Sequence, residues 1–218
     1  MSKENEKTVE VYKEKAGKYL KTTIEHDELD PERAKRKRDN LNKLLNDSLK
    51  LIPNGAKVFE IGAADGENSK YIESLGFNVT ASDVADDFIS ACKTNGLHTI
   101  NFNVLKDEFN DKYYAIFAWR VFVHFTKEDM AEVLKKTYNA LEDGGLFIFN
   151  LINRETRNTD DEWVDFSNEY HMGVERYYKY FRQEEIEEII KNTDYKIQSF
   201  HKEGGDNQNK WLVYVLKK

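Results

Sequence analysis

At 218 residues the chain is long enough for one domain with a sizeable core, and its 39% hydrophobic and 33% charged residues describe a heavily charged surface around that core. A net charge of −7 argues against a nucleic-acid partner, because duplex binders carry a positive balance or a clear basic stripe. The opening MSKENEKTVE has no apolar stretch of a secretory leader, no run approaches the roughly 18 apolar residues of a membrane span, and the single cysteine, Cys92, excludes an internal disulfide, so a cytoplasmic protein is expected.

In chain order, Val9, Tyr12, Ala16, Tyr19 and Leu20 recur at helical spacing and predict a first helix. A second is expected from about Pro31, a favourable first-turn residue, to Leu51, where Pro53-Asn54-Gly55 breaks it. Its RAKRKR run, Arg33 to Arg38, is flanked by acids and reads as a solvated face. The rhythm then changes. KVFEIG reads as a buried strand, Asn68 to Leu75 as a helix closed by Gly76, and FNVTASD as a strand. Ala85 to Lys93 reads as a helix ended by Asn95-Gly96, HTINFNV as a strand, and YYAIFAWRVFV as a very apolar strand running into a loop. Thr126 to Leu141 has the marks of a strong helix, with Thr126 as its N-cap and Asp129 at the third position. A turn at Glu142-Asp143-Gly144-Gly145 precedes the apolar LFIFNLI.

Strand and helix therefore alternate from residue 57 to about 152, the pattern of a parallel sheet with helices on both faces. A polar, aromatic-rich segment follows, from Asn153 to about Phe181, then a helix from Gln183 to Asn192. YKIQSFH and KWLVYVLK are strands whose EGGDNQN connection suits a hairpin and is too short for a crossover. One domain is expected, built of a helical cap (1–53), a core (55–152), a covering segment (153–182) and a terminal helix with hairpin (183–218).

Ligands of such sheets sit beyond the carboxyl ends of the strands, which directs attention to the turn after KVFEIG. Gly62 permits a tight turn, and Gly66 lets the next helix start close to the strand. Asp83 ends the second strand, where a carboxylate can accept both hydroxyls of a ribose; a helix N-cap is its other reading. Gly62-Ala63-Ala64-Asp65-Gly66 is one residue short of the dinucleotide fingerprint, and Asp65 would repel a pyrophosphate. A ligand without phosphate and with a zwitterionic or cationic tail suits the turn better.

These features together resemble the class I S-adenosylmethionine-dependent methyltransferases, in their small-molecule group. EIGAADG is similar to that family's first motif, with Ala64 in place of its middle glycine. ASDVADDFI resembles the acidic second motif, and NFNVLKDEF the third, with Asn103 where an aspartate is usual. The stretch from Tyr113 to Asn153 resembles the fourth motif and the helix and strand beyond it. The resemblance spans residue 55 to the end. It implies a Rossmann-like three-layer α/β sandwich, with a mostly parallel seven-stranded sheet and an antiparallel C-terminal hairpin strand. It implies S-adenosyl-L-methionine as cofactor and S-adenosyl-L-homocysteine as product. Glu60, Gly62, Ala63 and Gly66 would then shape the methionine end, Asp83 the ribose, and Val84, Asn103 and Val104 the adenine. Ala118 and Trp119 would flank the cofactor, and Tyr12 and Tyr19 would close over it from the first helix. One arginine of RAKRKR is within reach of the cofactor carboxylate.

Transfer of a methyl group to oxygen or nitrogen of a small molecule needs alignment, exclusion of water and, for a hydroxyl or ammonium acceptor, a base. His124, just after the fourth strand, is the expected base, with a packed histidine as its other reading. Arg120 interrupts an apolar run, so it either pairs with an acid such as Glu60 or grips an anionic substrate. Trp163, Tyr170, His171, Arg176 and Tyr178 of the covering segment are expected to face the substrate. No metal-ligand spacing is present among the five histidines, so no metal is expected. A non-catalytic cofactor-binding domain and a nicotinamide oxidoreductase are the alternative readings.

Overall fold

Two helices open the chain in the computed structural model, which describes residues 1–165, 172–204 and 210–218. The first, α1 (Lys3–Leu29), is capped by the Ser2 hydroxyl, which accepts from the Asn5 N–H. The second, α2 (Pro31–Leu49), is capped by Asp30, which accepts from the Arg33 N–H, with Pro31 in its first turn. α2 buries Ala34, Leu41, Leu45 and Leu49, one apolar stripe at helical spacing. α1 is unlike it: its buried residues are Asn5, Thr8 and Ala16.

A nine-stranded sheet follows. The parallel core runs β3 (Thr99–Asn101), β2 (Asn78–Asp83), β1 (Lys57–Ile61), β4 (Tyr113–Ala118) and β5 (Leu141–Asn153), side by side in that order. Its crossovers include α3 (Glu67–Ser74), α4 (Asp86–Thr94) and α5 (Lys127–Ala140). β9 (Trp211–Lys217) lies antiparallel on β5, and β8 (Lys196–Glu203) antiparallel on β9. These are the seven strands expected from the sequence. The central strands are apolar on both faces because both faces are covered. On one side α5 and α6 (Gln183–Lys191) pack Met130, Val133, Leu134, Ile186 and Ile190 against Phe59, Ile116 and Phe147. On the other, Leu41 and Leu45 of α2 and Ile72 of α3 meet Val58, Phe117 and Ile148.

The covering segment contributes two further strands. β6 (Asp161–Val164) and β7 (Arg176–Phe181) form an antiparallel pair, and β7 joins the end of β5 through Ile152–Tyr180 and Asn153–Phe181. All six residues of β7 are buried, two of them cations, so neither alternation nor an apolar run marks it in the sequence. The fourth strand is also shorter than its apolar run. It stops at Ala118, and Arg120, at φ 61°, turns the chain into a short 3-10 turn over Phe122–His124.

Asp129 ties α1 to the sheet layer. Its carboxylate accepts from the Ser2 N–H at 2.8 Å, the Ser2 hydroxyl at 2.5 Å and the Thr126 N–H at 3.2 Å, while Thr126 accepts from the Asp129 N–H to complete the capping box of α5. Asp129→Ala removes this anchor and the reciprocal half of the capping box, the bond from the Thr126 N–H, while the Thr126 hydroxyl still caps the helix. The substitution is expected to lower stability by about 1–2 kcal/mol in urea titration and to speed protease cleavage within α1.

Candidate active site

A cavity of about 260 Å³ lies at the carboxyl ends of β1, β2 and β4, with α1 and α2 forming its other wall. Its floor is the turn after β1. Gly62, Ala64 and Gly66 all hold positive φ, at 71°, 49° and 82°. A β-carbon on Gly62 would stand 2.5 Å from Val121 Cγ2, and one on Gly66 2.3 Å from Leu97 Cδ1, so both positions need glycine for close approach as well as for φ. The Ala63 N–H donates to the Ser82 carbonyl at 2.9 Å, which pins the turn to β2. Below it Cys92 donates its thiol to the Ala64 carbonyl at 3.3 Å; burial pushes that thiol up to about 12, leaving an unreactive packing residue.

Asp83, at the end of β2, is organised by backbone. Its Oδ2 accepts from the Ala64 N–H at 3.1 Å, and its Oδ1 from Val84 at 2.7 Å and Ala85 at 3.2 Å. Burial pushes this carboxyl up to about 6, against the pull of those three N–H groups. Glu60 stands behind the wall, fully buried. Its carboxyl accepts from the Ser69 hydroxyl at 2.5 Å and Asn68 Nδ2 at 3.1 Å, and burial pushes it up to about 8. Beyond Asp83 a slot is lined by Val84, Phe102, Asn103 and Val104. The Asn103 side-chain oxygen already accepts from the Leu105 N–H at 3.0 Å.

Above the fourth strand, Trp119 lines the cavity and stacks on Phe117 at 6.1 Å. Arg120 also lines it; its N–H donates to Asn150 Oδ1 at 2.7 Å, and its guanidinium lies 5.5 Å from the Trp211 ring centre rather than on Glu60. His124 is in the wall and buried. Its Nδ1 lies 2.6 Å from the Tyr177 carbonyl, which can only accept, so Nδ1 carries the proton. Burial pushes the imidazole down to about 3, so it is neutral at pH 7, and Nε2 must accept from the Tyr12 hydroxyl at 2.9 Å. Arg176, 1% exposed, donates to the same Tyr12 oxygen at 3.0 Å. A directional chain results: Arg176 to Tyr12, Tyr12 to His124, His124 to the backbone of β7.

The structure thus brings Tyr12, Tyr19, Gly62, Ala63, Asp83 and Val84 into one wall, together with Asn103, Val104, Trp119, Arg120 and His124. Glu60, Gly66 and Ala118 support that wall from behind. Trp163, Arg176 and Tyr178 are also one layer back, Tyr178 edge-on to His124 at 4.6 Å and Trp163 beneath the Lys7 ammonium at 4.3 Å. Tyr170 and His171 lie outside the described residues. Sequence reasoning passed over Asn5 and Thr8 of α1, Lys37 of α2 and Phe88 of α4, all of which line the cavity; Arg38 is the arginine of RAKRKR that reaches it. Arg38 pairs there with Asp27 at 3.3 Å and Glu67 at 3.5 Å. For Asn5 and Thr8 a signal existed, since they continue the Tyr12, Ala16, Tyr19 face by one and two turns. Among the described residues, no group of three His, Cys, Asp or Glu could hold a metal ion, and no helix is long and apolar enough to cross a membrane.

Residues 29–199 match the family described as a methyltransferase domain. The chain belongs to that family: it is an S-adenosylmethionine-dependent methyltransferase with the class I fold. Its fold is similar to that of a solved S-adenosylmethionine-dependent methyltransferase from Clostridium acetobutylicum, with a TM-score of 0.70 and 16% identity over 91% of this chain and 98% of that one. A counterpart from Methanosarcina mazei gives 0.66 and 12%, over 78% and 95%. The glycopeptide N-methyltransferase MtfA, solved with S-adenosyl-L-homocysteine, gives 0.62 and 10%, over 81% and 88%. No curated protein sequence matches the chain.

Two buried groups set the pH limits of this fold. Glu60 titrates near 8 when folded against 4.5 ordinarily, so its contribution is complete at low pH and is lost as pH rises through about 8. His124 is depressed from 6.5 to about 3, so its contribution is complete above 6.5 and is lost as pH falls toward 3. Glu60→Gln is expected to lose less melting temperature than the parent protein between about pH 6 and about pH 8, the range in which Glu60 and not Asp83 still titrates; thermal scans across that range compare them.

Proposed function

We propose that this enzyme transfers a methyl group from S-adenosylmethionine to a hydroxyl oxygen or an amine nitrogen of a small molecule, acting in the cytoplasm. The observation that carries the reading is Asp83, buried at the end of β2 with both oxygens oriented by backbone N–H groups beside the cavity. Such a carboxylate suits the two hydroxyls of a ribose. The donor set fits the cofactor in other respects. Val84, Phe102 and Val104 offer an apolar slot for adenine beside Asn103, and Gly62, Ala63 and the Glu60-supported turn offer an unphosphorylated site for the methionine end. Tyr12, Tyr19 and Trp119 complete the enclosure, with Lys37 and Arg38 facing the same space. When bound, S-adenosylmethionine supplies an activated methyl group on a sulfonium leaving group.

The protein's part is to align the acceptor and exclude water. Arg120 and His124 line the cavity where we place the acceptor; Arg176 holds the Tyr12 hydroxyl and Tyr178 packs edge-on to His124, while Trp163 lies against Lys7 and Tyr177. We assign His124 a positioning role in place of the base role its chain position suggests. An imidazole pushed down to about 3 is a poor proton acceptor at neutral pH. What it does is hold the Tyr12 hydroxyl. Because Tyr12 has committed its proton to His124, any group that meets its oxygen must bring a hydrogen of its own. Hydroxyls and amines do; carboxylates and phosphates do not.

Calorimetric titration with S-adenosylhomocysteine, with NAD as control, tests the cofactor. Roughly micromolar binding of the first alone is expected at pH 8. Affinity should fall as pH drops through about 6, where Asp83 takes up a proton and ceases to be a double acceptor. Asp83→Asn should weaken binding about 10- to 100-fold at pH 8 and flatten that profile. Tyr12→Phe should cut methyl transfer to hydroxyl or amine acceptors by about 10- to 100-fold in kcat, followed as S-adenosylhomocysteine release. With S-adenosylmethionine saturating, so that the Asp83 titration no longer limits the rate, kcat of the parent protein should show no inflection near the ordinary histidine pKa of 6.5. An inflection there would restore His124 as the base.

A further inference from the structure

Asn5 lies in the first turns of α1, 2% exposed, and contributes to the cavity wall. The orientation of its amide is fixed by chemistry. The Nδ2 group stands 3.2 Å from the His124 carbonyl oxygen, and a carbonyl only accepts, so the amino end faces His124 and Oδ1 faces away. Oδ1 is shielded from solvent and has no hydrogen-bond donor among the described residues. A buried carbonyl oxygen left in that state is costly, and native proteins seldom retain one without a reason.

The surroundings say which end of the cavity this is. Met1, four residues earlier, has its sulfur 3.8 Å from Asn103 Nδ2, and Lys106 pairs with Glu6 at 3.3 Å. The start of α1 therefore lies over the loop after β3, where Phe102, Asn103 and Val104 line the slot beyond Asp83. Asn103 is the residue whose place in the sequence suggests contact with a base, but its oxygen already accepts one hydrogen bond, from the Leu105 N–H, which holds it to its own loop. Asn5 Oδ1 accepts none among the described residues.

We propose that Asn5 is the base-recognition residue of the site, its Oδ1 accepting a hydrogen from the exocyclic amino group of adenine. The inference rests on reading the cavity as the cofactor site. An adenine brings the missing donor into an otherwise apolar slot. A 6-oxo base would set one acceptor against another, and a site built around an unmet polar group rejects such an analogue strongly.

The test compares S-adenosylhomocysteine with S-inosylhomocysteine by calorimetry on the full chain. The parent protein is expected to prefer the adenine ligand by about 30-fold or more, and Asn5→Leu to reduce that preference below about threefold, chiefly by weakening the adenine ligand. Asn5→Ala is the smaller alternative if leucine is not accommodated. One readout needs no variant: the Asn5 side-chain amide resonances should move on addition of the adenine ligand and not the 6-oxo ligand. Equal affinity of the parent protein for the two ligands, an unchanged preference in the variants, or amide resonances that ignore the adenine ligand would each overturn the proposal. Absence of S-adenosylhomocysteine binding in the parent protein is a different result, and would remove the reading of the cavity itself.

Discussion

The wall that α1 builds over the cavity packs Tyr12, Ala16, Tyr19 and Leu20 against Ala85 and Phe88 and adds a row of buried polar contacts, and the geometry of the site depends on that polar row. Asn5 donates to the His124 carbonyl, Thr8 accepts from the Tyr177 N–H at 3.1 Å, and Tyr12 bonds the His124 ring and Arg176. These three side chains lie on one face, at spacings of three and four. Each reaches either the 3-10 turn after β4 or strand β7. A helix anchored by apolar contact can slide by a residue at modest cost, because dispersion and burial are not directional. A helix anchored by buried hydrogen bonds cannot, since a shift leaves several polar groups unmet in a poorly solvated space. The contacts therefore fix α1 in one register, and with it the distance between Tyr12 and the carboxyl ends of the strands.

β7 is the other half of that arrangement. Its Arg176 is a fully desolvated cation, and such a charge persists only with close partners. The Tyr12 oxygen, the faces of Tyr12 and Tyr178 at 5.5 Å each, and Asp165 at 3.9 Å provide them. Three distant parts of the chain meet here: the first helix, the turn after the fourth strand, and the segment inserted between the fifth strand and α6. The result orients one tyrosine hydroxyl.

This explains what the sequence shows and what it hides. Short apolar runs between glycine turns mark β1, β2, β4 and β5, because each strand must bury both faces, and the Gly62, Gly66 and Asp83 constellation is local to two adjacent turns. Those parts are legible by position alone. β7 is not, because RYYKYF buries an arginine and a lysine against partners far along the chain. Nor is the role of His124. Its place after β4 suggests a base, but its protonation is decided by burial, together with the Tyr177 carbonyl and the Arg176 charge, both more than 50 residues along the chain. Asn5 and Lys37 reach the cavity only because two helices fold across the sheet edge. Their residue types are ordinary for solvated helix faces, so the one hint is the spacing that sets Asn5 on the face of Tyr12.

The electrostatics of the cavity follow from the same packing. Glu60 and Asp83 both sit above the usual carboxylate range because they are buried beneath or beside the glycine turn, with no lysine or arginine among the groups that shift them. Burial, with a small addition from the Asp83 charge, keeps a proton on Glu60 at neutral pH. A cation entering the space above the turn changes the balance. It lowers both acids, more strongly the closer it lies, and so gains attraction to Asp83 at once and to Glu60 as that proton leaves. A ligand that pairs a ribose with a positive centre is thus favoured twice, once by the hydroxyl-accepting carboxylate and once by the buried acids whose ionised forms it stabilises. An anionic dinucleotide meets the opposite condition at the same turn, where Asp65 adds a further negative charge. The shortened glycine spacing and the buried acids are therefore one adaptation: close backbone packing removes the phosphate site and brings two carboxyl groups to where a cation is stabilised.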